Sequence, residues 1–491
     1  MDSEQQLMNE RISKIDAMRK EGIEPYPYSF ESKNDAAMLQ EKFKSLKPEE
    51  HSGKEAKAAG RIMAIRSMGA IVFMHIQDTT GKIQLYFSKD SLKSKFDSLK
   101  FFDMGDFIGA KGKIFRTKRG ELSVEVEEFE MLSKAIRQLP EKFHGIADPE
   151  IKYRKRYLDL ITDSNVKKTF EMRSKIISAV REFLDQKGFI EVEIPVLQPI
   201  YGGAKAKPFK TRINAWNMDM FLSVSPELYL KRCIAGGFEA VYTICKNFRN
   251  EGVDRTHNPE FTMMECYWAY RDYNDMMKMT EELYEFVCKS VLGTTEIDYC
   301  GTKISFKRLW QRITMIDAIK KYTKIDVKNM KEEELKKVIK DYKIKLEGEY
   351  SRGHAIESIF DALVTEKLIQ PTFITDHPKE STPLCKQKRG DKEHIERFEP
   401  YVMGWEIGNA YSELNDPIKQ KALLEEQAEL GRGGDEEAHK MDDDFITAME
   451  HGMPPMGGLG LGIDRMVMLL TGAESIRDVI LFPTMKPLEK K

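Results

Sequence analysis

The run FRNEGVDRTHNPEFTMMECYWAY, residues 248–270, holds Arg249, Glu251, Arg255, His257 and Asn258 in one short polar stretch. It then enters a segment in which Phe261, Met263, Glu265 and Tyr267 share a parity, while Thr262, Met264, Cys266 and Trp268 take the other. Alternation at period two puts the first set on one face of a strand and the second on a core face. The preceding EAVYTICKNF reads as an antiparallel partner, so residues 250–260 form a loop. Cations on such a loop suit a polyanion. A glutamate among apolar neighbours needs a reason, because its desolvation is costly. The competing structural reading is a charged surface hairpin with one buried glutamate.

Three further stretches could join that chemistry. In SPELYLKRCIAGG, residues 225–237, Ser225 and Pro226 suit a helix start and Gly236 or Gly237 its end. Glu227 then lies in the first turn, where the helix dipole favours a carboxylate. On its own, that glutamate does no more than stabilise its helix. ERFEPYVMGWEIGNAYSELND, residues 396–416, reads as a hairpin turning at Met403-Gly404. A two-residue turn pairs Tyr401 with Glu406, which makes Glu399 a same-face diagonal neighbour of Glu406. Two such carboxylates with substrate phosphates suit Mg²⁺; the alternative is a solvated acidic edge. Asn409, Tyr411 and Glu413 have the opposite parity to Glu406 and join its face only through a bulge, for which Gly408 is suited. In MGGLGLGIDRMVMLL, residues 456–470, glycines that let a flat ligand approach the backbone precede Arg465 and an apolar helix. This run is not G-x-G-x-x-G, and the chain has no Walker A motif. The acidic run GGDEEAHKMDDDF, residues 433–445, lacks EF-hand spacing and reads as a solvated helix face.

The elements that position these residues follow from pattern. At 491 residues the chain is too long for one compact domain, and 41% hydrophobic residues supply a core. Lys and Arg number 78 against 80 Asp and Glu, so any nucleic-acid binding rests on a local patch. Residues 1–52 read as an N-terminal helical extension. Residues 53–135 alternate as five or so short strands, with a hairpin turn at Asp78-Thr79-Thr80-Gly81. That spacing suggests an OB-fold barrel, acting either as a binding domain or as a brace. Residues 136–165, including KYRKRYLDL, read as a basic linker. From 166 to 491 an α+β domain begins with a helix whose face is Phe170, Ile176, Ile177, Val180, Phe183 and Leu184. The strand-like runs IEVEIPVL, MDMFLSV, EAVYTICKNF and EFTMMECYWAY imply an antiparallel sheet, with a helical insertion at about 308–370. The polar start lacks the apolar core of a signal peptide, and no run of about 18 apolar residues marks a membrane span. Six scattered cysteines without a C-x-x-C pair fit a reducing cytoplasmic setting rather than a metal knuckle.

Together these strings resemble the class II aminoacyl-tRNA synthetases, and within them the lysyl family. GFIEVEIPVL is similar to motif 1 of that class, FRNEGVDRTHNPEFTMMECYWAY to motif 2 and GLGLGIDRMVMLL to motif 3. The resemblance runs from about residue 11 to the C-terminus. It departs at Met456-Gly457, where many relatives carry Thr-Ala. It implies a homodimer whose N-terminal OB-fold binds the anticodon of tRNA(Lys), with L-lysine and ATP as substrates and Mg²⁺ as the metal. By the same resemblance Arg249 contacts the α-phosphate and the lysine carboxylate, and Glu251, His257 and Asn258 hold ATP. Phe261 stacks on adenine, and Arg465 reaches the γ-phosphate from the other side. Glu399 and Glu406 hold Mg²⁺. Gly203, Glu227, Glu265, Tyr267, Asn409, Tyr411 and Glu413 form the amino-acid pocket. Phe73 and Gln84, with Arg66 as a weaker match, read the anticodon.

The residues themselves support a cationic substrate, because a buried ammonium needs carboxylate partners. Three glutamates, Glu227, Glu265 and Glu413, converge if the strands are as read. The expected reaction forms an aminoacyl-adenylate and then charges the tRNA, with no protein nucleophile. The rivals are an aspartate or asparagine enzyme of the same subgroup, a non-catalytic RNA-binding paralogue, and a lysine ligase acting on protein.

Overall fold

The structure is a computed structural model that describes residues 3–140, 146, 148–346, 350–432 and 440–488. They fall into two compact units, Met1–Gly145 and Ile146–Lys491.

In the first unit the strands His51–Met68, Ile71–Gln77, Lys82–Ser88, Phe107–Arg116 and Leu122–Ser133 close into a barrel. The third strand pairs in parallel with the fifth, and the other pairings are antiparallel. This is the OB-fold that the spacing suggests. Val72, Met74 and Ile76 enter its core, which leaves Phe73 and His75 on the outer face. Asp78 makes the turn, accepting from the N–H groups of Thr80 (2.7 Å) and Gly81 (2.8 Å). A helix, Ser3–Lys20, packs on this unit, where Arg11 donates to the carbonyls of Met104 and Ala135.

The second unit is built on a nine-stranded sheet. Its middle six strands are antiparallel, in the order Thr372–Pro378, His394–Val402, Gly408–Ser412, Met456–Gly462, Glu260–Ala269 and Ala240–Phe248. Each end adds one short parallel strand, Gln311–Thr314 beside Thr372–Pro378 and Ile190–Glu191 beside Ala240–Phe248. The expectation of a wholly antiparallel sheet is corrected at these edges. Parallel neighbours need a crossover. Helix Glu227–Ala235 lies between one pair, and Met315–Thr323, Glu332–Asp341 and Arg352–Leu363 between the other. IEVEIPVL and MDMFLSV are corrected too, because only Ile190–Glu191 enters the main sheet. Leu197–Gln198 and Met218–Leu222 join Lys210–Ile213 in a separate three-stranded sheet. Pro195 interrupts the run, and a proline has no N–H to give a central strand.

Long helices cover the core face of the main sheet. Ser164–Gln186 buries Ile176, Val180, Phe183 and Leu184, and Tyr273–Leu292 buries Met276, Leu283, Tyr284 and Val287. The basic stretch read as a linker holds two short helices, Pro149–Arg154 and Arg156–Thr162. Arg156 is buried there, paired with Asp159 at 2.7 Å and donating to the carbonyls of Arg477 and Leu481. Part of the acidic run, residues 433–439, lies outside the described residues. Beyond it, Asp442 is not solvated: it caps helix Asp443–Glu450 and pairs with Arg232 at 2.7 Å. No helix among the described residues is long and apolar enough to cross a membrane.

Candidate active site

The strands Ala240–Phe248 and Glu260–Ala269 pair in the register Thr243↔Glu265 and Asn247↔Phe261. Met264 and Cys266 are buried in the core, so Phe261, Met263, Glu265 and Tyr267 face the other way, as alternation requires. At the neck of the connecting loop, the Arg249 N–H donates to the Pro259 carbonyl at 2.9 Å. The Arg249 guanidinium lies 5.1 Å from the centre of the Phe261 ring, and its Nε is buried with no hydrogen-bond partner in the protein. A half-buried cation with an unused buried donor is poised for an anion.

Beyond Phe261 the same face becomes a buried pocket. Glu265, 4% exposed, accepts from Ser225 Oγ at 2.9 Å and from Tyr267 Oη at 3.0 Å. Ser225 Oγ also accepts from the Glu227 N–H at 3.1 Å, so one hydroxyl starts the helix and orients the carboxylate. Gly203 lies against both, with φ of +84°, and a Cβ there would sit 2.9 Å from Ser225 Oγ and from Glu227 Cβ. Glu227 and Glu413 are buried as well and face a cation, while both oxygens of Glu413 lack a hydrogen-bond partner. Lys231 Nζ lies 2.5 Å from each of them. Burial pushes the Glu265 carboxyl up to about 8, reinforced by Glu227, with Ser225, Tyr267 and Arg249 opposing. Burial likewise raises Glu413 to about 8, against the pull of Lys231. Burial works against the charge on Lys231, but Glu227 and Glu413 outweigh it and hold the ammonium charged.

The hairpin turns at Met403-Gly404, both with positive φ, as a two-residue primed turn requires. Tyr401 pairs with Glu406. Further along, Arg397 pairs with Tyr411 and Phe398 with Ala410, which shifts the register by one. The extra residue is the expected bulge, and it turns Asn409 and Tyr411 onto the face of Glu399 and Glu406. At Gly408 a Cβ would meet Leu461 Cδ2 at 2.5 Å, so a side chain does not fit. On this face Glu399 accepts from Tyr401 Oη at 2.8 Å and pairs with Arg397 at 2.5 Å. Arg397 Nε donates to Asn409 Oδ1 at 2.9 Å, and Asn409 Nδ2 to Tyr411 Oη at 3.0 Å. Burial and the nearby Glu399 raise the Glu406 carboxyl. Among the described residues no cluster of three or more His, Cys, Asp or Glu could enclose a metal. Two adjacent carboxylates fit Mg²⁺ only as a site that substrate phosphates complete.

Strand Met456–Gly462 lies between these halves, with Gly458 opposite Tyr267 and Tyr411, and Gly460 opposite Glu265 and Asn409. Two of its glycines, Gly458 and Gly460, clear space for protein side chains. A Cβ on Gly458 would fall 2.0 Å from Glu413 Oε1, and on Gly460 2.8 Å from Met263 Cε. The following helix, Ile463–Thr471, carries Arg465, which donates to the Glu406 carbonyl and lies 3.2 Å from His257 Nε2. His257 Nδ1 is 2.9 Å from Asp254. An arginine can only donate, so His257 accepts at Nε2 and carries its proton on Nδ1, toward Asp254. The slight burial of Asp254 favours protonation. Hydrogen bonds from Thr256 and His257 outweigh it and hold the carboxyl at about 2.

The fold therefore gathers Arg249, His257, Phe261, Glu399, Glu406 and Arg465 at one end of the sheet face. It gathers Gly203, Glu227, Glu265, Tyr267, Asn409, Tyr411 and Glu413 at the other. Asn258 is buried and donates to the Glu260 carbonyl at 2.6 Å, while Glu251 stays exposed on the loop. Lys231, Arg397 and Asp254 were missed. The first two carried a signal: Lys231 is four residues from Glu227 on one helix, and Arg397 shares strand parity with Glu399.

In the barrel, Arg66 pairs with Phe73, Phe73 with Tyr86, and His75 with Gln84 on the outer face. The Phe73 ring lies 5.3 Å from that of Tyr86. Gln84 is 6% exposed and its amide is engaged, accepting from Ser123 Oγ at 2.9 Å and donating to Glu121 at 2.7 Å.

Residues 148–486 match the family model of tRNA synthetases class II (D, K and N). Residues 56–132 match that of the OB-fold nucleic acid binding domain. The chain is 50% identical over 487 residues to a lysine–tRNA ligase of Clostridium novyi, covering 98% of this chain and 94% of that protein. It is 48% identical over 488 residues to one of Clostridium botulinum, covering 98% and 96%. With one of Pelotomaculum thermopropionicum the identity is 50% over 488 residues, covering 99% and 96%.

Proposed function

The chain belongs to the class II tRNA synthetases for aspartate, lysine and asparagine and is an aminoacyl-tRNA ligase, and on that premise we propose that it activates L-lysine with ATP and transfers it to the 3′ end of tRNA(Lys). One observation carries the choice of amino acid: the buried Glu265, with Tyr267, lies on the same strand face as Phe261 beside Arg249. An aspartate or asparagine pocket would need a cation or an amide where this one has carboxylates. The lysine–tRNA ligases of similar sequence support the same reading.

In the first step the lysine carboxylate attacks the α-phosphorus of ATP in line and pyrophosphate leaves. In the second the terminal hydroxyl of the tRNA attacks the carbonyl of the adenylate, and AMP leaves. No protein nucleophile is needed, so catalysis is positioning plus electrostatic stabilisation. Arg249 meets the α-phosphate and the substrate carboxylate, and Phe261 stacks on the adenine. Arg465, steadied by His257, takes the adenine's other side and the γ-phosphate, and Glu251 and Asn258 complete the ATP site. Glu399 and Glu406 would hold Mg²⁺, which neutralises phosphate charge when bound. Gly203, Glu227, Glu265, Tyr267, Asn409, Tyr411 and Glu413 enclose the lysine. Arg66, Phe73 and Gln84 meet the anticodon, and Gln84 must first release Glu121. The assembly is a homodimer, for which exposed Val196, Leu197 and Met218 offer apolar surface. Six free cysteines fit a cytoplasmic setting.

The test is pyrophosphate exchange into ATP, with Mg²⁺, against each of the twenty amino acids singly. Exchange with lysine alone is expected. Exchange with aspartate or asparagine instead would overturn the pocket assignment and leave the ATP site standing.

A further inference from the structure

One guanidinium stands between the two ends of the sheet face. Arg397 lies on strand His394–Val402, opposite Tyr411 in the register, and shares its parity with Glu399. Its side chain is 14% exposed. Nη2 donates to Glu399 Oε1 at 2.5 Å, and Nε donates to Asn409 Oδ1 at 2.9 Å. Nε and Nη2 form one edge of the planar fork, an edge that in a bidentate pair holds a single carboxylate. Here that edge is divided between a carboxylate at the phosphate end and an amide at the amino-acid end. The third nitrogen, Nη1, lies 3.9 Å from Glu357 of helix Arg352–Leu363. The same division fixes the amide. An arginine only donates, so Asn409 must turn Oδ1 toward it. Nδ2 then points the other way and donates to Tyr411 Oη at 3.0 Å. Tyr411 accepts there and keeps its own hydroxyl hydrogen for another partner.

We propose that Arg397 is a positioning residue that couples the ATP site to the amino-acid site: through one rigid guanidinium, fixing Glu399 orders Asn409 and fixing Asn409 orders Glu399. The proposal rests on reading the two ends of this sheet face as the lysine and ATP sites. Its physical basis is the geometry of the fork. Nε and Nη2 are held in one plane, so a movement of the Glu399 carboxylate that turns the plane also alters the bond to Asn409. A ligand that fixes Glu399 at the phosphate end therefore lowers the cost of fixing the Asn409 amide, and linkage makes the effect reciprocal. Arg397 contacts Glu399 and Asn409 and not the reacting atoms, so it acts on the coupling between ligands and not on the chemical step. A lysine at this position does not replace it, because an ammonium is a point charge without two donors at a fixed spacing in one plane.

The experiment measures binding to the full chain by calorimetry, with L-lysine as one ligand and α,β-methylene-ATP with Mg²⁺ as the other. The methylene group blocks adenylate formation. Each ligand is titrated alone and in the presence of the other, which gives the coupling factor in both directions. In the wild type each ligand should tighten the other by about 5-fold or more. Arg397→Lys should lose most of that factor, while the affinity for each ligand alone changes by only a few-fold. A wild type without coupling overturns the proposal, and so does a variant that keeps it, whether or not its single-ligand affinities fall. Asn409→Ala cuts the same path from the other end and leaves Arg397 beside Glu399, so it serves even if Arg397→Lys does not fold. It should lose the coupling too, whatever it does to lysine affinity alone, and a retained factor there overturns the proposal. In the double variant the loss should not exceed that of the larger single one, because both interrupt one path; additive losses would mean separate paths and count against it. The lysine reading fails separately: wild-type protein that binds another amino acid in place of lysine refutes it, and the coupling through Arg397 is then measured with that amino acid.

Discussion

Arg249→Ala should slow lysine-dependent pyrophosphate exchange by roughly 10²-fold or more, because it removes a cation aimed at the reacting phosphate. Near-normal exchange would remove Arg249 from the chemistry. At Glu265, the Gln variant should lose lysine binding severely and keep ATP binding; equal loss of both would make the residue structural. Glu265 also predicts a pH dependence. The groups around it are Glu227, Glu413, Ser225, Tyr267, Tyr411 and Arg249, and its carboxyl stands at about 8. Below that value it is protonated, yet an ammonium needs it ionised. Lysine affinity should therefore rise with pH up to about 8 and then level off. At neutral pH, calorimetry in buffers of different ionisation enthalpy should show a proton released on binding, and a buffer-independent heat would contradict this. For the free protein the sign is opposite. A carboxyl raised on folding contributes stability that is full below the ordinary glutamate range and gone once pH passes about 8. Thermal melts from pH 5 to 9 should show that decline, and saturating lysine should lessen it.

Among the elements, strand Met456–Gly462 does most to shape the pocket. Gly458→Ala places a Cβ 2.0 Å from Glu413 Oε1 and 2.6 Å from Tyr267 Cε1, so both must move. Lysine KM should rise well beyond ATP KM in exchange assays. Gly462→Ala is the control on the same strand: its Cβ would meet nothing closer than 3.8 Å, and both constants should stay within a few-fold. If the two variants behave alike, the contact at Gly458 is not what matters. Much at this scale was legible in sequence. Turn chemistry and period two placed the Met403-Gly404 turn, the Tyr401–Glu406 pair and the face of Phe261, Glu265 and Tyr267. The Gly408 bulge followed from parity alone, since Asn409 and Tyr411 could reach Glu406 in no other way. IEVEIPVL was not legible. Its alternation looks like a sheet strand, but Ile190, Val196 and Leu197 are exposed, and alternation does not say which surface a strand will meet.

For the whole molecule, two compact units predict separable losses. Phe73→Ala, in the barrel, should reduce tRNA charging by ~1–3 kcal/mol of stacking and leave lysine-dependent pyrophosphate exchange at its wild-type rate. If exchange falls equally, the barrel is not acting as a reader. The two units were visible as a change of period, from the short alternating strands of the barrel to the 3.6-residue face that begins at Phe170. The sheet's parallel edges were not, because a crossover through helices looks, residue by residue, like any other strand–helix–strand sequence.

The residue types and their local spacing placed cations on a loop beside a strand face that carries carboxylates, and the motif strings carried the resemblance to the class II synthetases. Phe261, Glu265, Glu399 and Glu406 stand in runs whose periods assign each its face, and such periods are properties of a single chain segment. What the tertiary structure alone decided is which groups the three carboxylates meet. Glu227, Glu265 and Glu413 look equivalent in sequence, but Lys231 reaches two of them and not the third. The Glu227 contact follows from i,i+4 spacing on one helix, but the Glu413 contact depends on strand order and helix packing, which no spacing along the chain encodes.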